Sequence, residues 1–280
     1  MSLLSVAVGL PTSILGVEHA PFLKLLRTHQ VLRYCSIFGV GRVYFYKDAF
    51  TSPAEHGEYA DLISKAWRYF TTPPYLRRKL VPLDDVLRHV GLLPPLRLAS
   101  FDVSRIPRDG ELRFAYVSVV GGEARADVGA ARPFRAVGKC REGIVPVKVV
   151  SARKGVAQCL EEGALYRGPL LNFTSSLGEL LDLWKARGPI IATDRKGSLP
   201  DEAALARLKS SGGAALVLFG SPRHDLFELS KAEGLELEDY AGAVWNTVPG
   251  QMVATVRTEE ALVITLGIIN YALHAADSSR

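Results

Sequence analysis

Apolar and polar positions alternate between two periods along this chain. Leu3–Leu10 is β-rich and ends at Gly9-Leu10-Pro11, which predicts a first strand. Phe22–Phe38 follows as a helix, with Leu23, Leu26, Leu32 and Cys35 at turn-like spacings. Arg42–Tyr46 reads as a second strand that leaves through Lys47-Asp48. Glu55–Thr71 returns to helical spacing, with Tyr59, Leu62, Ala66 and Tyr69 near one face. Pro73-Pro74 ends that pattern, because prolines cannot continue the hydrogen-bond ladder.

The pattern changes over Leu98–Leu165. Helical periodicity fades, short strands are expected at Leu112–Val120 and Val145–Ser151, and Gly121, Gly122, Gly129, Gly138 and Gly143 punctuate the stretch. A small β-domain inserted into an α/β chain accounts for this, as does a long β-rich excursion from the main sheet. The alternation then resumes: helix Leu180–Ala186, strand Pro189–Thr193, helix Asp201–Leu208, strand Ala214–Phe219 and strand Ala243–Trp245. Ala214–Phe219 is apolar throughout, as a parallel strand covered on both faces should be. The acids of Asp225–Asp239 read as a solvated face. Ala261–Leu273 is a greasy helix, too short for a confident membrane span, and Thr258 can cap it.

Apolar residues make up 48% of the 280, enough for a large core in one domain or two. Lys plus Arg number 34 against 29 Asp plus Glu, an excess compatible with nucleic acid without demonstrating it. Cys35, Cys140 and Cys159 are widely spaced and odd in number, which suggests neither a metal site nor a disulfide framework and points to a reducing, cytoplasmic setting. The N-terminus lacks a basic leader and reads as the first strand. Among the six histidines none forms a convincing site, and His224 reads as a polar loop residue; no zinc or magnesium requirement follows.

Chemistry concentrates near the end. The strand Ala243–Trp245 runs into a polar turn at Asn246–Gln251, a Thr-rich loop and the last helix, with no evident nucleophile or phosphate loop. Such a site can wrap a ligand in backbone amides and carbonyls, so the reactive group must come largely with the ligand. Five stretches, LRYCSIFGVGRVYFYKD (32–48), TPPYLRRKLVP (72–82), GLLPPL (91–96), LVLFG (216–220) and NTVPGQMVATVRTEEALVITL (246–266), resemble the knotted SPOUT methyltransferases. The nearest likeness is to a subgroup of archaeal and eukaryotic RNA methyltransferases that carries an inserted OB-like domain.

That resemblance implies a SPOUT-type knotted parallel sheet of α/β class over residues 1–97 and 166–280, with an OB-like β-barrel over 98–165. It implies a homodimer and S-adenosylmethionine held in a bent shape within a C-terminal trefoil knot, with S-adenosylhomocysteine as product. The cofactor-binding positions would be Leu218, Phe219, Gly220, Trp245, Asn246, Thr247, Val248, Pro249, Gly250, Ala254, Thr255 and Thr258, in loops Phe219–Pro222, Trp245–Gly250 and Ala254–Thr258. Arg33 stands where the family's first-motif arginine faces the substrate. The loop SPRHDLF after LVLFG departs from the glutamate- and glycine-rich loop of ribose-methylating relatives, which puts ordinary tRNA ribose methylation in doubt. Methyl transfer from a sulfonium asks the protein mainly for alignment and help with one proton.

Structured RNA, ribosomal RNA first, is the expected partner, with uridine N3 as the acceptor. One basic cluster comprises Arg77, Arg78, Lys79 and Arg88; another comprises Arg132, Arg135, Lys139, Arg141, Lys148, Arg153 and Lys154. Tyr75, Phe101, Phe114, Tyr116 and Phe134 lie in or near these regions and can either stack on bases or fill a small core. A non-catalytic RNA-binding or ribosome-assembly factor that retained the cofactor fold is the alternative of a different class.

Overall fold

The computed structural model describes residues 5–201, 203, 205, 206, 208 and 213–275. Part of the expected helix Asp201–Leu208 and the start of the Leu3–Leu10 strand therefore lie outside the described residues. The chain divides into two compact units. One holds residues 1–67, 86–93 and 168–280, the other residues 68–85 and 94–167.

The first unit is built on a parallel six-stranded sheet. Its strands are β1 (Val6–Pro11), β2 (Arg42–Tyr46), β8 (Leu170–Thr174), β9 (Ile190–Ser198), β10 (Ala215–Phe219) and β11 (Ala243–Trp245), in the spatial order β11-β9-β10-β1-β2-β8. Every pairing is parallel, so helical crossovers must cover both faces. On one face Ala7, Tyr44, Tyr46, Ala192, Leu216 and Leu218 pack against α4 (Leu177–Lys185) and α5 (Leu226–Ala232). Successive strand residues point oppositely, so Val8, Leu10, Val43 and Phe45 are buried on the other face. There Phe45 meets Trp67 of α2 (Pro53–Thr71) edge-on at 6.0 Å.

Helix α1 (Pro21–Phe38) starts on a proline at its first turn, where no amide partner is lost. Leu25, Leu32 and Cys35 are buried in it, whereas Leu23, expected on the same face, is 40% exposed. α1 packs against the last helix, α6 (Thr258–Ala275). Arg27 joins the two: its guanidinium pairs with Glu18 and with Glu259, and Arg27 and Glu259 are both buried. Thr258 does not cap α6. It is already helical, and Glu260 instead accepts from the amide of Arg257 at 2.9 Å. Among the described residues no helix is long and apolar enough to cross a membrane.

The second unit carries α3 (Pro74–Leu80) and a closed five-stranded barrel. The barrel strands are β3 (Leu112–Val120), β4 (Glu123–Asp127), β5 (Phe134–Val137), β6 (Gly143–Ser151) and β7 (Val156–Cys159), ordered β3-β4-β5-β7-β6 with β6 returning to β3. Its core holds Ala115, Val117, Ala126, Val128, Phe134, Val145, Val147, Val149 and Ala157. One expectation fails here. Cys140, in the turn between β5 and β6, is disulfide-bonded to Cys159 at the end of β7, and only Cys35 is free. Spacing along the chain did not reveal the pair because barrel closure, not sequence proximity, brings the two residues together.

Candidate active site

A cavity of about 390 Å³ opens at the carboxyl ends of β9, β10 and β11. That is where open parallel sheets place their ligands, and the size falls in the roughly 300–1,000 Å³ range of small-molecule sites. Its walls are Thr193–Lys196, Phe219–Asp225 with Glu228, Trp245–Val248, and Gln251, Ala254–Val256, Thr258 and Ala261.

The first wall comes from a break in register. Val244 of β11 faces Ala192 of β9, yet the next residue, Trp245, faces Ser198. Between Thr193, which still pairs with Phe219 of β10, and Ser198 the chain therefore bulges from its β11 ladder in an arch, and Asp194, Arg195 and Lys196 line the cavity. The arch closes tightly at Gly197, where an added Cβ would lie 2.7 Å from the Val244 carbonyl oxygen and 2.9 Å from the Asn246 nitrogen. The second wall is fixed by α5. Asp225 caps that helix by accepting from the Glu228 amide at 2.9 Å, while Glu228 accepts from the Asp225 amide at 3.0 Å. Asp225 and Glu228, two acids of the Asp225–Asp239 passage expected as a solvated face, are thus a helix cap.

Several side chains expected to touch a cofactor are hydrogen-bonded to neighbouring segments. Asn246 donates its amide nitrogen to Arg195 O at 2.9 Å and accepts from Val248 N at 3.1 Å, and its backbone N–H donates to Ser198 O at 2.7 Å. Thr247 shares a buried hydroxyl hydrogen bond of 2.9 Å with Thr265 of α6. Thr258 donates to Gly220 O at 3.4 Å, and Tyr46 donates to Phe219 O at 2.7 Å.

Of the expected cofactor positions, Phe219, Gly220, Trp245, Asn246, Thr247, Val248, Ala254, Thr255 and Thr258 line the cavity. Leu218 is wholly buried within β10, and Pro249 and Gly250 occupy the exposed turn beside the lining. Gly250 has φ +66°, the left-handed region that favours glycine. Gly220 serves space instead, since an added Cβ would come within 3.0 Å of His224 O.

The charged residues of the cavity were not singled out by pattern. Lys196 Nζ lies 2.8 Å from Asp225 Oδ2. Burial would raise the Asp225 carboxyl, but the Lys196 hydrogen bond and the helix-end amides outweigh it and hold it low. The Asp225 hydrogen bond in turn holds the exposed Lys196 ammonium more firmly protonated. Asp194 goes the other way. Burial and the nearby Asp225 charge raise its carboxyl, and the Lys196 amide that donates to it at 2.7 Å offsets this only in part. His224 also lines the cavity, and its ring stacks on Phe50 at 4.0 Å and 20°.

Arg33 lies partly exposed on α1 and is not among the residues lining the cavity of the single chain. Among the described residues no group of His, Cys, Asp and Glu is arranged to hold a metal ion. In the second unit Arg132, Arg135, Lys139, Arg141, Lys148, Arg153 and Lys154 are all exposed. Register sets Arg125, which pattern did not single out, directly across from Arg135 on the outer face of the barrel. Two facing cations disfavour a sheet pairing, and Glu123, 3.9 Å from Arg125, offsets this in part. Arg141 pairs with Glu162 at 2.8 Å. Arg77 turns inward, donating to Thr72 O at 3.0 Å beneath the Tyr69 ring, and Lys79 pairs with Asp127, whereas Arg78 is exposed. Arg88 is exposed in the other unit. Phe114 and Phe134 are core residues, and Tyr116 is 39% exposed.

The cavity and barrel can be set beside known sequences. Residues 5–269 match the profile of a family described as "Putative RNA methyltransferase". An uncharacterized protein of Halobacterium salinarum is 31% identical, with 85% of this chain and 88% of that protein covered. One of Haloarcula marismortui is 30% identical, covering 84% and 88%. The human 28S rRNA (uridine-N(3))-methyltransferase is 26% identical, covering 96% of this chain and 78% of its own length. A match over nearly the whole chain, on a parallel sheet with a cavity at its strand ends and a barrel carrying exposed cations, makes this protein a member of that RNA methyltransferase family.

Proposed function

We propose that the protein methylates ribosomal RNA at uridine N3, with S-adenosylmethionine as donor and S-adenosylhomocysteine as product. The observation that carries this reading is the cavity built from the three loop regions expected to bind the donor, together with the arch within β9. The residues fit the donor: Gly220 keeps one wall free of a side chain, and Asp225, Lys196 and Arg223 offer both signs of charge to a zwitterionic amino acid. When bound, the donor supplies an electrophilic methyl group on a sulfonium. The chain's own residues orient the acceptor and handle its proton. Asp194 is the carboxylate for that task, because one oxygen is fixed by the Lys196 amide and its raised proton affinity makes it a better base.

The return of the chain from edge strand β11 to α6, with Thr258 reaching Gly220, supports reading residues 246–258 as the threaded passage of a SPOUT trefoil knot. Partly exposed Leu23, Ile37, Ile264 and Tyr271 on α1 and α6 support a homodimer packed through these helices, which would bring Arg33 toward the partner's acceptor site. The outer barrel cations, Arg125, Arg135 and Lys148 foremost, support docking of structured RNA. A ribosomal substrate is compatible with a cytoplasmic setting, where the Cys140–Cys159 bond would have to withstand a reducing medium.

The test is nucleoside mass spectrometry of an unmodified large-subunit rRNA transcript incubated with the protein and the donor. The expected product is 3-methyluridine at a defined position. A modified ribose or another base would overturn the acceptor assignment, and an unmodified transcript would overturn the rRNA reading. Arg33→Ala should retain the fold and S-adenosylhomocysteine binding but lose turnover; unchanged turnover would remove Arg33 from the site.

A further inference from the structure

An aromatic ring stands exposed at the rim of the cavity, and local structure holds it there. Phe50 is 56% exposed in the turn that follows β2. A single exposed phenylalanine is unremarkable by itself. This one is displayed by a buried carboxylate: Asp48, 1% exposed, accepts from Phe50 N at 3.0 Å and from the Thr51 hydroxyl at 2.9 Å. The turn is tied to the sheet edge by Lys47 N, which donates to Thr174 O at 3.1 Å.

The ring also has a partner. Phe50 and His224 stack nearly parallel, 4.0 Å apart, and His224 is a wall of the cavity. The His224 backbone is pinned in turn, its N–H donating to Ser221 Oγ at 2.9 Å and its carbonyl accepting from Ser221 N at 3.0 Å. Two rings from separate loops are thus preorganised as a stack beside the cavity wall, with His224 on the cavity side and the partly exposed Phe50 ring outside it. Flat π-surfaces recognise other flat π-systems, and an unstacked nucleobase is the ligand of that shape an RNA-modifying site must receive.

We infer that the Phe50–His224 pair is a stacking platform for an unpaired RNA base entering the cavity, a role that rests on the RNA methyltransferase reading above. Phe50 acts here as a binding residue. Pattern along the chain did not single out Phe50 and treated His224 as a loop residue; only the fold stacks them.

The test compares Phe50→Ala, Phe50→Leu and Phe50→Trp with the wild type. All should bind S-adenosylhomocysteine equally by calorimetry, because Phe50 is outside the cavity lining, and all should stay folded, with melting temperatures within roughly 6 °C of the wild type. In methyl transfer to an unmodified large-subunit rRNA transcript, Phe50→Ala and Phe50→Leu should raise KM on the order of 10-fold or more, and Phe50→Trp should restore it. Leucine restoring KM as well as tryptophan does, or an alanine variant with wild-type KM, overturns the platform. A wild type that binds S-adenosylhomocysteine yet transfers no methyl overturns the rRNA reading instead. The platform is then decided by a single-stranded oligoribonucleotide carrying 2-aminopurine: quenching by the wild type but not by Phe50→Ala upholds it, and any other pattern overturns it.

Discussion

Adding one methyl group to a glycine should have opposite consequences at two places in the sheet-bearing unit. At Gly197 the new Cβ would sit 2.7 Å from Val244 O, 2.8 Å from Trp245 C and 2.9 Å from Asn246 N, all backbone atoms that no rotamer change can move aside. Overpacking of this kind costs about 1–3 kcal/mol, so Gly197→Ala should lower the melting temperature by roughly 2–12 °C. The damage falls on the site, because separating the arch from β11 misaligns the three hydrogen bonds that Asn246 makes to Ser198, Arg195 and Val248. At about 0.5–1.5 kcal/mol each, loss of one or two predicts S-adenosylhomocysteine affinity weakened on the order of 10-fold. Gly57 provides the contrast. It lies inside α2, a Cβ there meets nothing within 4 Å, and a glycine in a helix interior is about 0.5–1 kcal/mol less stable than alanine. Gly57→Ala should therefore raise the melting temperature by roughly 1–4 °C and leave affinity unchanged. Differential scanning fluorimetry and calorimetry on both variants read out the pair. A Gly197→Ala protein that melts and binds like the wild type would show that the arch is not packed as described.

Transfer activity should rise with pH as Asp194 loses its proton, with an inflection above the ordinary carboxylate value because burial and Asp225 raise it against the opposing pull of Lys196 and Arg195. Asp194→Asn should abolish that limb while retaining S-adenosylhomocysteine binding, and a variant with an unchanged pH–rate profile would exclude the proton-accepting role. In the barrel, replacing Arg125, Arg135 and Lys148 together by Gln should flatten the dependence of log affinity for RNA on log salt by roughly 2–3. An unchanged slope, measured by filter binding over a salt series, would place the RNA elsewhere. Reduction of Cys140–Cys159 reopens a loop with a sequence separation of 19, which should cost about 3 kcal/mol of barrel stability. Thermal unfolding of the Cys140→Ser/Cys159→Ser protein should reproduce the reduced wild type, and an unshifted transition would show that the bond contributes nothing.

Much of this architecture was legible from local pattern. β2, β3 and β11 fall where the pattern placed them, because apolar runs bounded by glycine or proline report burial directly. The loops after β10 and β11 were legible through resemblance, and most of their residues do line the cavity. Their individual duties were not. Asn246, Thr247 and Thr258 line the cavity and are also hydrogen-bonded to residues on other elements, partners that only the fold supplies.

What the sequence by itself determined is the identity of the elements and the chemistry available to them, since both depend on residues close along the chain. Only the tertiary structure decided which charges share a site. Lys196 and Asp225 meet because β9 and β10 are neighbours in a parallel sheet, and Asp194 lines the cavity because the ladder skips from Ala192 to Ser198. Cys140 finds Cys159, Arg125 faces Arg135 and Phe50 stacks on His224 for the same reason. Register and strand order set distances between residues far apart in sequence, and no local periodicity encodes them.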